Sequence, residues 1–420
     1  MLAAGTVACG PPNLPGEEEG FGDEIGTTDT EAETDTSGTT ETDTTTETDT
    51  TTETTTETTT ETETDTTETE TTETTETTDT GIDCTQELVL GGISIDGQEA
   101  LDTVAGVSVF TGGLELSGAL GDLSPLQCLR EIDGYLFIHD TDLTGFAGLE
   151  QLERVGAYFY VGQSPVLDFS GLEALTEVGG FVHVTSNPVL QSLDGLDSLA
   201  SVGDFLHVDH NPALEQIDAL AQISAVGDLR IEANGSLSNL DGLAALTQIQ
   251  SHLFLWSSGM VDIDGLAGLS SVGTDVWIQE NPALQNVDGL AGLSSVPGMV
   301  RIDINPALQH VDGLDGLQFA GGGVSLWSNA ALQRVRLASL AEAGAIVRIG
   351  FSSDLAELGP SPLQTVDGDL LIWSTGLSEL GGLPALNFVG ETLWIDGNAL
   401  LPTCTAQALA DQATVLGPTV

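Results

Sequence analysis

From Asp122 onward one phrase of apolar and polar positions recurs: an apolar residue, then Asp-Gly-Leu-x-x-Leu-x-x-Val-Gly-x-x-Val-x-Ile-x-x-Asn-Pro-x-Leu. Clear copies run from Leu193 to Pro212, from Ile263 to Pro282 and from Val287 to Pro306. The Val-x-Ile step alternates apolar and polar side chains, the period of a strand with one buried face. Its second apolar position falls at Ile138, Val161, Val184, Val208, Ile231, Leu255, Ile278, Ile302, Leu326, Ile349, Ile372 and Ile395, a spacing of 23 or 24 residues throughout. A weaker copy places Leu116 there. So short a strand cannot stand alone, and each copy must stack on its neighbours to bury a shared core.

The rest of the phrase supplies the corners. Asp-Gly-Leu-x-x-Leu predicts a tight helical or 3-10 turn, both Leu facing inward and the Asp accepting a backbone N–H at its start. Asn-Pro predicts a second corner, because Pro fixes φ and Asn bonds nearby backbone. Stacked copies align Asn187, Asn211, Asn281, Asn305 and Asn398 into an expected ladder that satisfies turn amides. Asp194, Asp218, Asp241, Asp264, Asp288 and Asp312 form another column.

These motifs resemble the receptor L-domain family, a variant of the leucine-rich-repeat and right-handed β-helix designs, over roughly Cys84 to Asp411. The resemblance implies an all-β fold, a right-handed parallel β-solenoid of about 12 or 13 rungs of 23–24 residues. The expected boundaries are a capped solenoid over 82–411 and a tail over 412–420. The resemblance says nothing of a ligand, and the cysteine-rich module of receptor ectodomains has no counterpart here.

Composition changes the picture at the N-terminal end. Glu17 to Thr80 is nearly all Thr, Glu and Asp, with 23 acidic residues and no basic one. Such a stretch has too little apolar surface to offset chain entropy, so 10–81 reads as a disordered linker. Mutual repulsion extends it, to on the order of 200 Å at ~3.3 Å per residue; a solubilising tail is the alternative reading. Setting those 23 charges aside leaves −35 of the chain's −58, and its seven cationic residues are all Arg. Nucleic-acid binding is excluded on that balance, because backbone affinity comes from Lys and Arg. Peripheral binding to anionic lipid is disfavoured likewise.

Residues 1–9 end in Thr6-Val7-Ala8-Cys9, which resembles a bacterial lipobox with Cys9 as the lipidated residue; an incidental thiol is the alternative. That resemblance implies a true start upstream of Met1, a secreted outer-membrane lipoprotein at the cell surface, and membrane contact through a lipid anchor only. Cys84 and Cys128 bracket the irregular first rung and are expected to form a disulfide in an oxidising compartment. Cys404 reads as a buried single thiol in the C-terminal cap, or as one whose partner lies beyond Val420.

Candidate function lies on the outward strand positions, which packing does not dictate. They run Phe137, Tyr160, His183, His207, Arg230, Phe254, Trp277, Arg301, Ser325, Arg348, Leu371 and Trp394. A flanking outward column carries Tyr135, Tyr158, Phe181 and Phe205, and another carries His139, Trp256, Trp327 and Trp373. All three Tyr and all five Trp thus share one expected face. A contiguous aromatic and Arg-bearing field is how recognition surfaces differ from ordinary ones, and the expected partner is a glycan or a protein at the cell surface. Cross-strand ladders that merely stabilise the sheet are the competing reading.

Catalysis is not expected. Nucleophile elbow, phosphate loop and Cys/His metal spacing are all missing from the sequence, and no cofactor is implied. Asp209 with Glu232 and Asp303 with Glu280 could approach glycosidase separations, yet any acidic solenoid produces such pairs. Asp209-His210-Asn211 and the pair His183 and His207 read as solvent-facing polar residues, and the Asp column as turn caps instead of a calcium site. A passive envelope scaffold and a β-helix polysaccharide-degrading enzyme are the remaining alternatives.

Overall fold

A computed structural model describes residues 81–420. The lipobox with Cys9 and the linker up to residue 80 lie outside the described residues. Fourteen strands, from Ile93–Asp96 and Leu114–Gly118 through to Leu370–Thr375 and Leu393–Asp396, form one sheet in which neighbours are successive coils. Every pairing within it is parallel. The fold is the all-β parallel solenoid that the repeat predicts, with Ile93–Asp96 adding a coil beyond the 12 or 13 expected. This coil escapes the ruler because the helix Gln98–Asp102 replaces its Asp-Gly-Leu corner.

The spaced apolar positions are the core. Ile138, Val161, Ile231, Leu255, Ile278 and Ile302 are fully buried and belong to one continuous cluster running from Ile95 to Leu409. Burying each such side chain contributes about 1.5–3 kcal/mol. The Val-Gly steps form two-residue strands along a second side, interrupted into shorter sheets. The Asp-Gly-Leu steps form 3-10 turns on a third, such as Asp241–Leu243, Asp264–Leu266 and Asp288–Leu290.

The Gly of that turn is required by close approach. A Cβ on Gly265 would lie 1.9 Å from the carbonyl oxygen of Leu240 in the preceding coil. The turn Asp does not act as expected: none of these 3-10 turns has a side-chain cap at its N-cap residue. Instead the residue two places earlier accepts the Asp N–H, as Asn239 Oδ1 does from Asp241 at 3.1 Å and Asn286 Oδ1 from Asp288 at 2.9 Å. Asp264 is left beside its acidic neighbours, whereas Asp312 accepts from Arg334. Burial and then the repulsion of Asp262, Asp288 and Asp241 push Asp264 above the usual carboxylate range.

The second corner is an internal polar column. Asn187, Asn211, Asn281 and Asn305 are fully buried, as are Asn234 and Asn329, which no Pro follows. Each residue just before this column has a left-handed backbone, from Asp140 at φ 51° to Ser374 at φ 51°. That turn brings the column inward, where its side chains bond the amides and carbonyls of the preceding coil.

Both ends are closed. Cys84 and Cys128 form a disulfide with Cα atoms 5.2 Å apart. At the far end the helix Thr403–Gln412 buries Leu409, and Gln412 Nε2 donates to the Leu386 carbonyl at 2.8 Å. Residues from 412 onward are part of this cap and not a tail, since Thr414–Val415 pair with Phe388–Val389 and Val420 exchanges backbone bonds with the Leu393–Asp396 strand. Cys404 is a disulfide cysteine and only half-buried, which corrects the expectation of a buried single thiol. No helix among the described residues is long and apolar enough to cross a membrane.

Candidate binding face

The strand register brings the predicted outward residues into one column. Phe137 pairs with Tyr160, Tyr160 with His183, His183 with His207, and His207 with Arg230. The line continues through Phe254, Trp277, Arg301, Ser325, Arg348 and Leu371 to Trp394. Tyr135, Tyr158, Phe181, Phe205, Trp256, Trp327 and Trp373 lie beside it, and every ring of the field is half-buried on the outside of the sheet. Ser325 alone is lost from the surface, covered completely.

Three clusters result. Tyr135, Tyr158, Phe181 and Phe205 stack nearly parallel at 4.8, 4.7 and 4.3 Å. Phe137 stacks on Tyr160 at 4.3 Å, and Tyr160, His183 and His207 follow edge to face. In the middle, Phe254 meets Trp277 edge-on at 5.2 Å. Towards the C-terminal end Phe351 bridges Trp327 and Trp373, and Trp373 stacks on Trp394 at 5.2 Å. Rings stacked at such spacings cover one another's faces, so the first cluster offers mainly ring edges to a ligand.

Carboxylates on this face are held by structural partners. Asp209 is nearly buried and not solvent-facing; it accepts from His183 at 2.7 Å and from His210 at 3.1 Å, and also from Thr185. Burial pushes its carboxyl up, but the hydrogen bonds from His183, Thr185 and His210 outweigh it and hold Asp209 well below the usual range. His207 is driven down to about 4, first by burial and then by its neighbours His183 and Arg230. Asn211, the third residue of that run, is buried in the corner column.

Farther along, Asp303 is 1 % exposed and accepts from Arg301 Nε at 2.7 Å, Arg348 Nη2 at 3.0 Å, Ser325 Oγ at 2.8 Å and the Trp327 amide at 2.8 Å. Arg348 also donates through Nε to Ser325 Oγ at 3.0 Å, which is how Ser325 is covered. Arg301 lies 5.9 Å from the Trp277 ring centre and Arg348 4.7 Å from that of Trp327, both within cation–π range. A Cβ on Gly350 would fall 2.5 Å from the Trp327 ring, so the missing side chain is what lets that ring lie down.

The carboxylate pairs named from the sequence are tied to structural partners or set apart. Asp209 is lowered, and Glu232 is bound by Arg230 Nε at 2.6 Å. Asp303 is paired in register with Gln279, leaving Glu280 exposed at a left-handed corner. Among the described residues no group of three His, Cys, Asp or Glu is placed to hold a metal ion. A polar groove of 490 Å³, lined by Glu215, Asp218, Ser236, Asn239 and Asp241 among others, is built from corner residues and not from this face.

The sequence did not reveal Asp303 and Asp209 as organisers. A signal was present for Asp303: alternate residues on a strand share a face, and Arg301-x-Asp303 repeats the Arg230-x-Glu232 pattern.

No family model and no curated protein matches the chain. Among solved structures it is similar to an internalin from Listeria monocytogenes, at 12 % identity over 72 % of this chain and 84 % of that one, with a TM-score of 0.36.

Proposed function

We propose that this chain is a non-catalytic extracellular recognition module whose long sheet presents its aromatic face to a protein partner. The carrying observation is the outward column from Phe137 to Trp394, in strict register on one side of the sheet and half-exposed at every position but Ser325. Ring edges and fixed Arg groups suit the mixed chemistry of a protein surface. A sugar stacking on ring faces finds those of the first ladder already covered, as Tyr158 is by Tyr135 and Phe181. The Cys84–Cys128 disulfide supports an oxidising, extracellular setting.

A cell-surface screen with the full chain, run against envelope proteins and glycans, tests this reading. The variant Phe137→Ser/Tyr160→Ser/Phe254→Ser, checked for folding, should lose binding by at least tenfold. Undiminished binding by the folded variant overturns the proposal. Anchoring through Cys9 requires that its thiol carry lipid, which mass spectrometry of the N-terminal peptide tests.

A further inference from the structure

We propose that Arg301 and Arg348, clamped by Asp303 between Trp277 and Trp327, form an anchor for an Asp or Glu carboxylate of a protein partner. The inference rests on the recognition-face reading and names the chemistry of one point on it. Three features carry it.

The first is charge. Two guanidiniums share one buried carboxylate here, a surplus of one positive charge among the three groups on a chain of −58. Arg230 on the same face is matched one to one by Glu232. The second is preorganisation. Asp303 and Ser325 take one N–H of Arg301 and two of Arg348, fixing both side chains. Each guanidinium has five donors in a planar fork that fits a carboxylate, and the rotamer entropy of both is lost before a ligand arrives.

The third is the apolar rim. Ile304 and Phe351 occupy the left-handed corner position at φ 58° and 49°, where other coils place Gly, Ser, Gln, Ala, His, Asp or Glu. They are 45 % and 47 % exposed, and Phe351 packs edge-on against Trp327 at 4.7 Å. A branched side chain in that backbone region is costly and is retained where the surroundings or a function impose it. An apolar rim beside a cationic centre matches a carboxylate next to a hydrophobic residue, a peptide feature. A polyanionic glycan is repelled by the rest of the surface, whereas a protein can be basic overall and still present one acidic side chain.

The full chain is titrated with N-acetyl-Phe-Glu-Leu-amide, with its Gln counterpart and with trigalacturonate, following the indole N–H signals of Trp277 and Trp327 by NMR. The Glu peptide should shift both signals saturably, and the Gln peptide should bind at least tenfold more weakly. Arg348→Gln should weaken the Glu peptide by tenfold or more, and Arg348→Lys by less. Equal binding of the two peptides, no saturable shift, or an unchanged affinity in the folded Arg348→Gln protein overturns the anchor. Preference for trigalacturonate overturns the protein-partner assignment. A failed envelope screen with intact peptide binding rejects the whole-face reading and leaves the anchor. A partner retained by Arg348→Gln with no peptide binding rejects the anchor alone.

Discussion

The backbone N–H of Asn281 donates to the side-chain oxygen of Asn305, 3.0 Å away and one coil further on. Asn281 in turn accepts from the Ser258 amide at 3.1 Å and donates to the Leu255 carbonyl at 3.0 Å. Its side chain thus satisfies two groups of the preceding coil, while its own amide is satisfied by the coil that follows. Asn281→Ala leaves these buried groups unpaired and should cost about 2–4 kcal/mol. Urea unfolding followed with hydrogen exchange at Ser258 checks it. A loss below about 0.5 kcal/mol with Ser258 still protected contradicts the ladder.

Gly265 and Gly235 separate packing from backbone freedom. A methyl on Gly265 meets the Leu240 carbonyl, while one on Gly235 meets nothing within 4 Å. Gly265→Ala should destabilise by about 1–3 kcal/mol or more. Gly235→Ala should be neutral or raise stability by about 0.4–1 kcal/mol. Thermal melts of both variants give the comparison, and equal effects would refute the close coil contact.

Ile304 pays for its left-handed backbone, so Ile304→Asn should raise stability by about 1 kcal/mol, Asn entering that region readily. The same substitution removes the apolar rim beside Arg301 and should weaken the Glu peptide severalfold. Melting temperature and peptide titration moving in the same direction would contradict this account.

His207 makes stability depend on pH in a defined window. Its folded value is about 4 against an ordinary 6.5, with His183, Arg230, Asp209 and Asp228 around it. Between those limits the unfolded chain binds more protons than the folded one, so stability falls as pH drops from 6.5 towards 4. Because the ring keeps partial contact with solvent, the loss should be about 1–2 kcal/mol. Asp209 holds its contribution above the unfolded carboxylate value of 3.8 and loses it only at still lower pH, as its lowered carboxyl protonates. His207→Phe should flatten the upper window and spare the lower one. An unchanged slope between pH 6.5 and 4 would count against the buried neutral ring.

The repeat made the core legible before any coordinate, because inward positions such as Ile231 and Ile302 follow the strand period and nothing competes with burial there. Asn234 and Asn329 were harder, since without a following Pro they look like surface residues. The turn Asp column was visible as a column and misread in its role, because a neighbour two places back does the capping. Cys404 could not be read from spacing. For the face, the register fixed which residues meet, whereas Asp303 looks like any acidic residue until Arg348, two coils away, is seen to reach it.

Phe159 and Tyr160 are consecutive on one strand, the first fully buried and the second half-exposed on the outer face. Hydroxyl-radical footprinting of the folded full chain, resolved residue by residue, reads that alternation directly. Rapid oxidation of Tyr160 and Trp277 with protection of Phe159 and Phe169 is the expected result. Oxidation of Phe159 at a rate matching Tyr160, or protection of the outer rings in the unliganded chain, would contradict an open aromatic wall over a sealed core.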